Sequence, residues 1–158
     1  MPYSKKEKRK RRRFLVLPKP PHFFQTHSSA CVPACLKMVL ASLDFEISEF
    51  ELRNLCECDE TGTYRSKAIK AIEELGFICY EANLEIEDLK ENISNDLTPI
   101  TFLKFNSDVN YSHAVIVYKI SNEKVFVLDP EIGEREFDMN YFIENWSRGL
   151  TIIIEKRI

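Results

Sequence analysis

The sequence predicts an α+β fold in which a helical first half packs on an antiparallel sheet. Three observations lead there. Ala34, Leu36, Met38, Val39, Leu40 and Leu43 fall at helical spacing, as do Ala68, Ile69, Ala71, Ile72 and Leu75. Strand-forming runs dominate the second half, at 115–120, 125–128 and 150–154. Ser121-Asn122-Glu123 joins the first two of these as a short hairpin connection, which pairs them antiparallel. With 158 residues, 44% of them hydrophobic, the chain suits one globular domain able to bury a genuine core.

Charge sets the N-terminus apart. Lys5, Lys6, Lys8, Arg9, Lys10, Arg11, Arg12 and Arg13 form a basic arm broken only by Glu7, and residues 1–13 are expected to be a disordered arm ahead of a domain spanning 14–158. Removing those eight cations and one Glu from totals of 22 and 25 leaves 14 basic against 24 acidic side chains, so the body carries a formal −10. Such an arm suits an anionic partner, either nucleic acid or a membrane surface; it also suits docking on the acidic body, or a solvated tail. Five cysteines at irregular spacing, with no signal peptide, point to reduced thiols and a cytoplasmic chain. The apolar runs at 14–17 and 152–154 are strand-sized, well short of the roughly 20 residues of a membrane span.

The elements follow in order. Residues 14–17 suit a short strand, and Pro18-Lys19-Pro20-Pro21 an extended lead into a polar loop. Pro33 is tolerated only in the first turn of a helix, so the first helix should begin at Cys31 or Val32. Ile47, Phe50, Leu52 and Leu55 suggest a second short helix, with Ser48 helping its first turn. Cys56-Glu57-Cys58 has the form of half a zinc site, but no second Cys/His pair stands at a matching distance, and unliganded cysteines are the expectation. Thr61-Gly62-Thr63 is a turn, and Gly76 closes the helix that follows. Next come a strand at 78–82, an amphipathic helix at 86–93, a buried strand at 98–105 and a polar loop at 106–111. Beyond the hairpin, Gly133 allows a turn into a strand at 135–137; Tyr141, Phe142 and Trp146 mark a short helix, and 150–154 a closing strand.

The chemistry is expected where the polar loop becomes the first helix. A thiol at Cys31 faces the positive pole of the helix dipole and unpaired backbone N–H groups, which favour a thiolate, whereas Cys35, one turn further in, reads as core. Gln25 stands six residues before Cys31, so the loop can bring its amide back beside the sulfur, where with the Cys31 N–H it would stabilise an oxyanion. Two histidines compete as base. His27 sits on a loop with no evident carboxylate, whereas His113 leads into the strand at 115–120, whose hairpin partner at 125–128 runs on into Asp129. His113 is therefore preferred, with Asp129 to orient it.

Gln25, five residues, Cys31 and a small or apolar helix ending Leu36-x-Met38-Val39-Leu40 resemble the peptidase C39 family. So do Ser112-His113-Ala114-Val115-Ile116-Val117, the segment Asp129-Pro130-Glu131-Ile132-Gly133 sixteen residues after the histidine, and Gly76-Phe77 at the end of a helix. The resemblance implies a papain-like cysteine peptidase fold with a cleft between helix end and sheet. It implies a Cys31-His113-Asp129 triad, a Gln25 oxyanion hole, a peptide or protein substrate, and no cofactor or metal. Members of that family remove double-glycine leader peptides, usually as N-terminal domains of ABC exporters; no transporter region accompanies this chain, so a free-standing domain is expected. Ala30 and Val32 depart from the acidic residue and glycine that commonly flank the family's cysteine, and the β-branched Val32 narrows the approach to the thiol. Two readings from other classes stand beside the peptidase. One is a catalytically silent peptide-binding module, against which Cys31 argues. The other is a nucleic-acid-binding protein acting through its arm.

Overall fold

The computed structural model describes residues 19–105 and 112–158. The basic arm, the expected strand at 14–17 and the polar loop at 106–111 lie outside the described residues. The described chain forms α1 (Cys31–Ser42), α2 (Glu49–Leu55), α3 (Arg65–Glu74), β1 (Phe77–Asn83), α4 (Ile86–Ser94) and β2 (Ile100–Leu103). These are followed by β3 (His113–Ser121), β4 (Lys124–Asp129), β5 (Gly133–Asp138), α5 (Met139–Asn145) and β6 (Trp146–Lys156). The six strands make one sheet in the order β1-β6-β2-β3-β4-β5, antiparallel throughout.

Both faces of that sheet are covered where β3 runs through it. Ala114 and Ile116 point to one side, where α1 to α3 bring Leu36, Met38, Leu40 and Ile72; Val115 and Val117 point to the other, against Leu89 of α4 and Phe142 of α5. This is why the stretch reads as a continuous apolar run rather than an alternating one. α1 is apolar around most of its circumference because it lies inside the first of these cores, with Cys31 to Leu36 and Met38 to Leu40 all buried. Its start matches the limit set by Pro33. Ser48 caps α2 as expected, its hydroxyl accepting from Glu51 N at 3.0 Å.

The β3–β4 hairpin sets the geometry of the site. Ser121 pairs with Lys124, so the turn proper is Asn122-Glu123, with φ of 52° and 59°. Positive φ at both central residues is the turn whose twist matches the flanking strands. The register then slips once, past Tyr118, before Ile116 meets Leu128.

Two expectations change. The strand at 98–105 is shorter, with only 100–103 in the ladder. Trp146 does not belong to the last helix. It opens β6 in an extended conformation, donates Nε1–H to Leu150 O at 3.0 Å and packs 5.4 Å from Phe142, so its helix-like spacing from Phe142 marks a contact across a bend. β6 is accordingly long and central, lying between β1 and β2. It bends at Gly149, where φ is 65° and a Cβ would lie 1.9 Å from Leu84 O.

Candidate active site

Cys31 is the first residue of α1 and is 7% exposed; His113 is the first residue of β3 and Asp129 the last of β4. Since Leu128 lies opposite Ile116, Asp129 falls opposite Val115 and His113 becomes its diagonal neighbour. The side chains meet: His113 Nε2 donates to Asp129 Oδ1 at 2.7 Å. A carboxylate only accepts, so the proton of this bond sits on Nε2. The Cys31 side chain is the other neighbour of the His113 ring, and it too favours the charged imidazole. With Nε2 engaged by Asp129, that contact falls to Nδ1. The structure therefore brings Cys31, His113 and Asp129 together, with His113 hydrogen-bonded to Asp129 and neighboured by Cys31.

The electrostatics follow from burial. His113 is 4% exposed and Asp129 0%. Burial works against a charged imidazole, but the hydrogen bond to Asp129, the neighbouring Cys31 side chain and the charges of both outweigh it and hold the His113 pKa at about 9. Burial also works against the Asp129 carboxylate. The bond to His113 and its charge, the Glu131 N–H at 2.8 Å and Arg135 prevail, so Asp129 lies below the usual carboxylate range. At neutral pH the pair is an imidazolium on a carboxylate.

Gln25 lies on the loop that leads into α1. Its backbone N–H donates to Pro130 O at 2.8 Å, tying the loop to the residue after Asp129. Its side-chain Nε2 donates to His27 O at 2.9 Å and Ser28 O at 3.2 Å, folding the amide onto the turn before Cys31. His27 is exposed and turned elsewhere, with Nδ1 3.0 Å from Thr26 Oγ1 and Nε2 3.4 Å from Arg53.

Three residues that sequence reasoning did not single out complete the surroundings. His22 Nε2 donates to Asp129 O at 2.7 Å. Buried Glu49 accepts from Thr26 N at 3.0 Å and from the Thr26 hydroxyl, with Arg53 of the same helix 3.5 Å away. Arg135 Nη1 donates to Asp129 Oδ2 at 3.0 Å. Only Arg135 had a signal in the sequence, a lone cation two residues beyond the Asp-Pro-x-x-Gly segment.

The other thiols are differently placed. Cys35 is buried, its thiol donating to Ala114 O at 3.4 Å, and burial pushes it well above the ordinary range. Burial likewise pushes Cys56 and Cys79 up to about 12. Cys58 donates to Ser29 O at 3.6 Å. Among the described residues no three side chains gather as metal ligands, and no helix is long and apolar enough to cross a membrane.

A helix-borne cysteine facing a strand-borne histidine, with helices packed on an antiparallel sheet, is the architecture of the papain-like cysteine peptidases. The model of the peptidase C39 family matches residues 19–158, and the chain belongs to that family. It is 27% identical over 124 residues to the lactococcin-G-processing and transport ATP-binding protein LagD of Lactococcus lactis subsp. lactis, covering 78% of this chain and 17% of LagD. It is 26% identical over 132 residues to an uncharacterized protein of Methanothermobacter marburgensis, covering 84% of this chain and 86% of that one. In three dimensions it is similar to a double glycine motif protease from an AMS/PCAT transporter, solved in complex with the leader peptide. That likeness has a TM-score of 0.75 and 22% identity, covers 88% of this chain and 93% of that one, and shows the fold.

Proposed function

We propose that the protein is a cysteine peptidase that hydrolyses a peptide bond in an extended segment, using Cys31, His113 and Asp129 as triad and Gln25 in the oxyanion hole. The observation that carries this is the buried His113 ring, bonded to Asp129 at 2.7 Å and neighboured by the Cys31 side chain at the start of α1. Transfer of the Cys31 proton to His113 Nδ1 gives a thiolate–imidazolium pair, in which Asp129 fixes Nε2–H and balances the imidazolium. The thiolate attacks the peptide carbonyl. The oxyanion is held by the Cys31 backbone N–H and by Gln25, one of whose N–H groups can serve both loop carbonyls as a three-centre bond, leaving the other for the oxyanion. His113 then protonates the leaving amine, and water hydrolyses the thioester with His113 again as base.

The substrate is read as extended because a cleft beside a sheet engages backbone N–H and C=O groups most readily in that conformation. A leader peptide is the class suggested by the AMS/PCAT protease, solved in complex with one, and LagD is likewise a processing protein. We take residues 14–158 as the catalytic domain, which the match over 19–158 supports, and assign the arm an anionic partner. Five free thiols accord with a cytoplasmic setting.

The test compares wild type with Cys31→Ala by mass spectrometry, with a synthetic double-glycine leader peptide, a peptide extract of the producing cell and the protein itself as substrates. Products that appear only with the thiol present identify reaction and cleavage site. Identical patterns from both proteins overturn the reading in favour of a silent peptide-binding module.

A further inference from the structure

The carboxylate of Asp129 has two oxygens, and the proposed triad uses one. Oδ1 receives His113 Nε2 and the Glu131 N–H; Oδ2 receives Arg135 Nη1 at 3.0 Å. Arg135 is the third residue of β5, the edge strand. The register sets Gly133 against Asp129 and Arg135 against Val127, so the guanidinium reaches Asp129 along a cross-strand diagonal. It is 31% exposed, and its Cζ lies 4.7 Å from the Phe137 ring centroid, so an aromatic face supports the cation while its tip meets a fully buried anion. Its neighbour Glu134 is paired with Lys19 instead.

We propose that Arg135 is a positioning residue of the triad: its guanidinium clamps Oδ2 so that Oδ1 stays aimed at His113, and its charge keeps the buried carboxylate compensated when His113 gives up its proton. This rests on the peptidase reading for its role in turnover. A buried carboxylate facing only an imidazolium would hold the proton on the ring, because losing it would leave an uncompensated buried charge. A permanent second cation makes that proton easier to release, and an arginine is permanently charged. The charged and titratable groups around the pair are Cys31 and the buried Cys35 from α1, His22 at the Asp129 carbonyl, and Arg135 from β5; Glu134 and Glu136 flank Arg135 on the exposed face of its strand.

The sign is definite. Removing the Arg135 charge removes a repulsion from the imidazolium, so the His113 titration midpoint should rise, by on the order of one pH unit. Asp129 stays ionised meanwhile, held by His113 and the Glu131 N–H. The experiment is an NMR titration of the histidine ring protons in the whole chain for wild type, Arg135→Met and Arg135→Lys, with His113→Gln to assign the signal and urea unfolding to check the fold. A raised midpoint in Arg135→Met, returned most of the way by Arg135→Lys, supports the proposal. Should Arg135→Met fail to fold, Arg135→Gln carries the same comparison with one neutral donor. A folded neutral variant whose midpoint equals the wild-type value overturns it. This readout needs no substrate, so an inactive wild type would remove the peptidase reading and leave the clamp to be judged by the same midpoint.

Discussion

Replacing Asp129 by Asn should remove a pH-dependent part of the protein's stability, and its size can be worked from the site. The folded protein holds His113 at about 9, against an ordinary 6.5. At about 1.4 kcal/mol per pH unit, that gap is on the order of 3 kcal/mol favouring the folded, protonated ring. Because the folded pKa is raised, this contribution is fully present below pH 6.5 and is lost as pH rises through about 9. Burial alone would lower the pKa, so a ring deprived of the Asp129 charge should fall toward or below its ordinary value. Asp129 also stabilises on its own account. Its folded pKa is depressed, so that contribution is present above the ordinary carboxylate range and lost as pH falls through the folded value, and it stays constant from pH 6 to 10. The assay is urea unfolding of wild type and Asp129→Asn at steps across that range. The stability difference should shrink by about 3 kcal/mol from the acid to the alkaline end. A difference that stays flat would refute the reasoning, since His113 would then be neutral on its partner in the folded state.

Four further outcomes are expected. A thiol-reactive probe at pH 6 should label Cys31 and spare Cys35, Cys56 and Cys79, which burial raises, and His113→Ala should slow Cys31 labelling; labelling of Cys31 that ignores His113 would count against the pair. Gln25→Ala should leave the fold and this labelling intact while lowering turnover of the cleaved peptide by roughly 10²–10³, the usual cost of one oxyanion donor; unchanged turnover would place the hole elsewhere. Glu49→Ala deprives Thr26 of its acceptors and should cost about 1–3 kcal/mol in urea unfolding, with faster amide exchange at Thr26; wild-type exchange there would mean the loop is held by other contacts. Gly149→Ala drives a Cβ into Leu84 and should cost at least about 3 kcal/mol; a neutral substitution would refute the close approach.

Local chemistry fixed what could be read from the chain. Pro33 limited where α1 starts, and the structure begins it at Cys31. The short Ser121-Asn122-Glu123 connection implied a hairpin and with it the approach of His113 to Asp129, and the structure closes that hairpin at Asn122-Glu123. β6 was harder, because nothing in its own residues says that a last strand should enter the middle of the sheet between β1 and β2; that placement is decided by which apolar faces remain to be covered. The contacts of His22 and Glu49 were not legible at all. His22 reaches a carbonyl 107 residues away and Glu49 a loop 23 residues before it, and a lone His or Glu carries no periodicity from which to infer its partner.

The His22 contact is one of several that converge on the dipeptide Asp129-Pro130, and that constrains how the site is set. Asp129 receives His113, Glu131 and Arg135 through its carboxylate and His22 through its carbonyl, while Pro130 O receives Gln25 N. The segment from His22 to Gln25 is thus a strap from the end of β4 to the loop that feeds Cys31. An extended lead suits it, because Pro20 and Pro21 have no N–H to satisfy and stay out of helix. The amide proposed for the oxyanion and the carboxylate that orients His113 are then positioned by the same two peptide units. A displacement of the β4 end would move both together rather than open a gap between them. Cys35 ties the other side, its thiol on Ala114 O holding α1 against the residue after His113. The proposed nucleophile, base and acid are each fixed to the element that carries the next, and placement at about the 0.5 Å level is what the proposed chemistry demands of its supporting contacts.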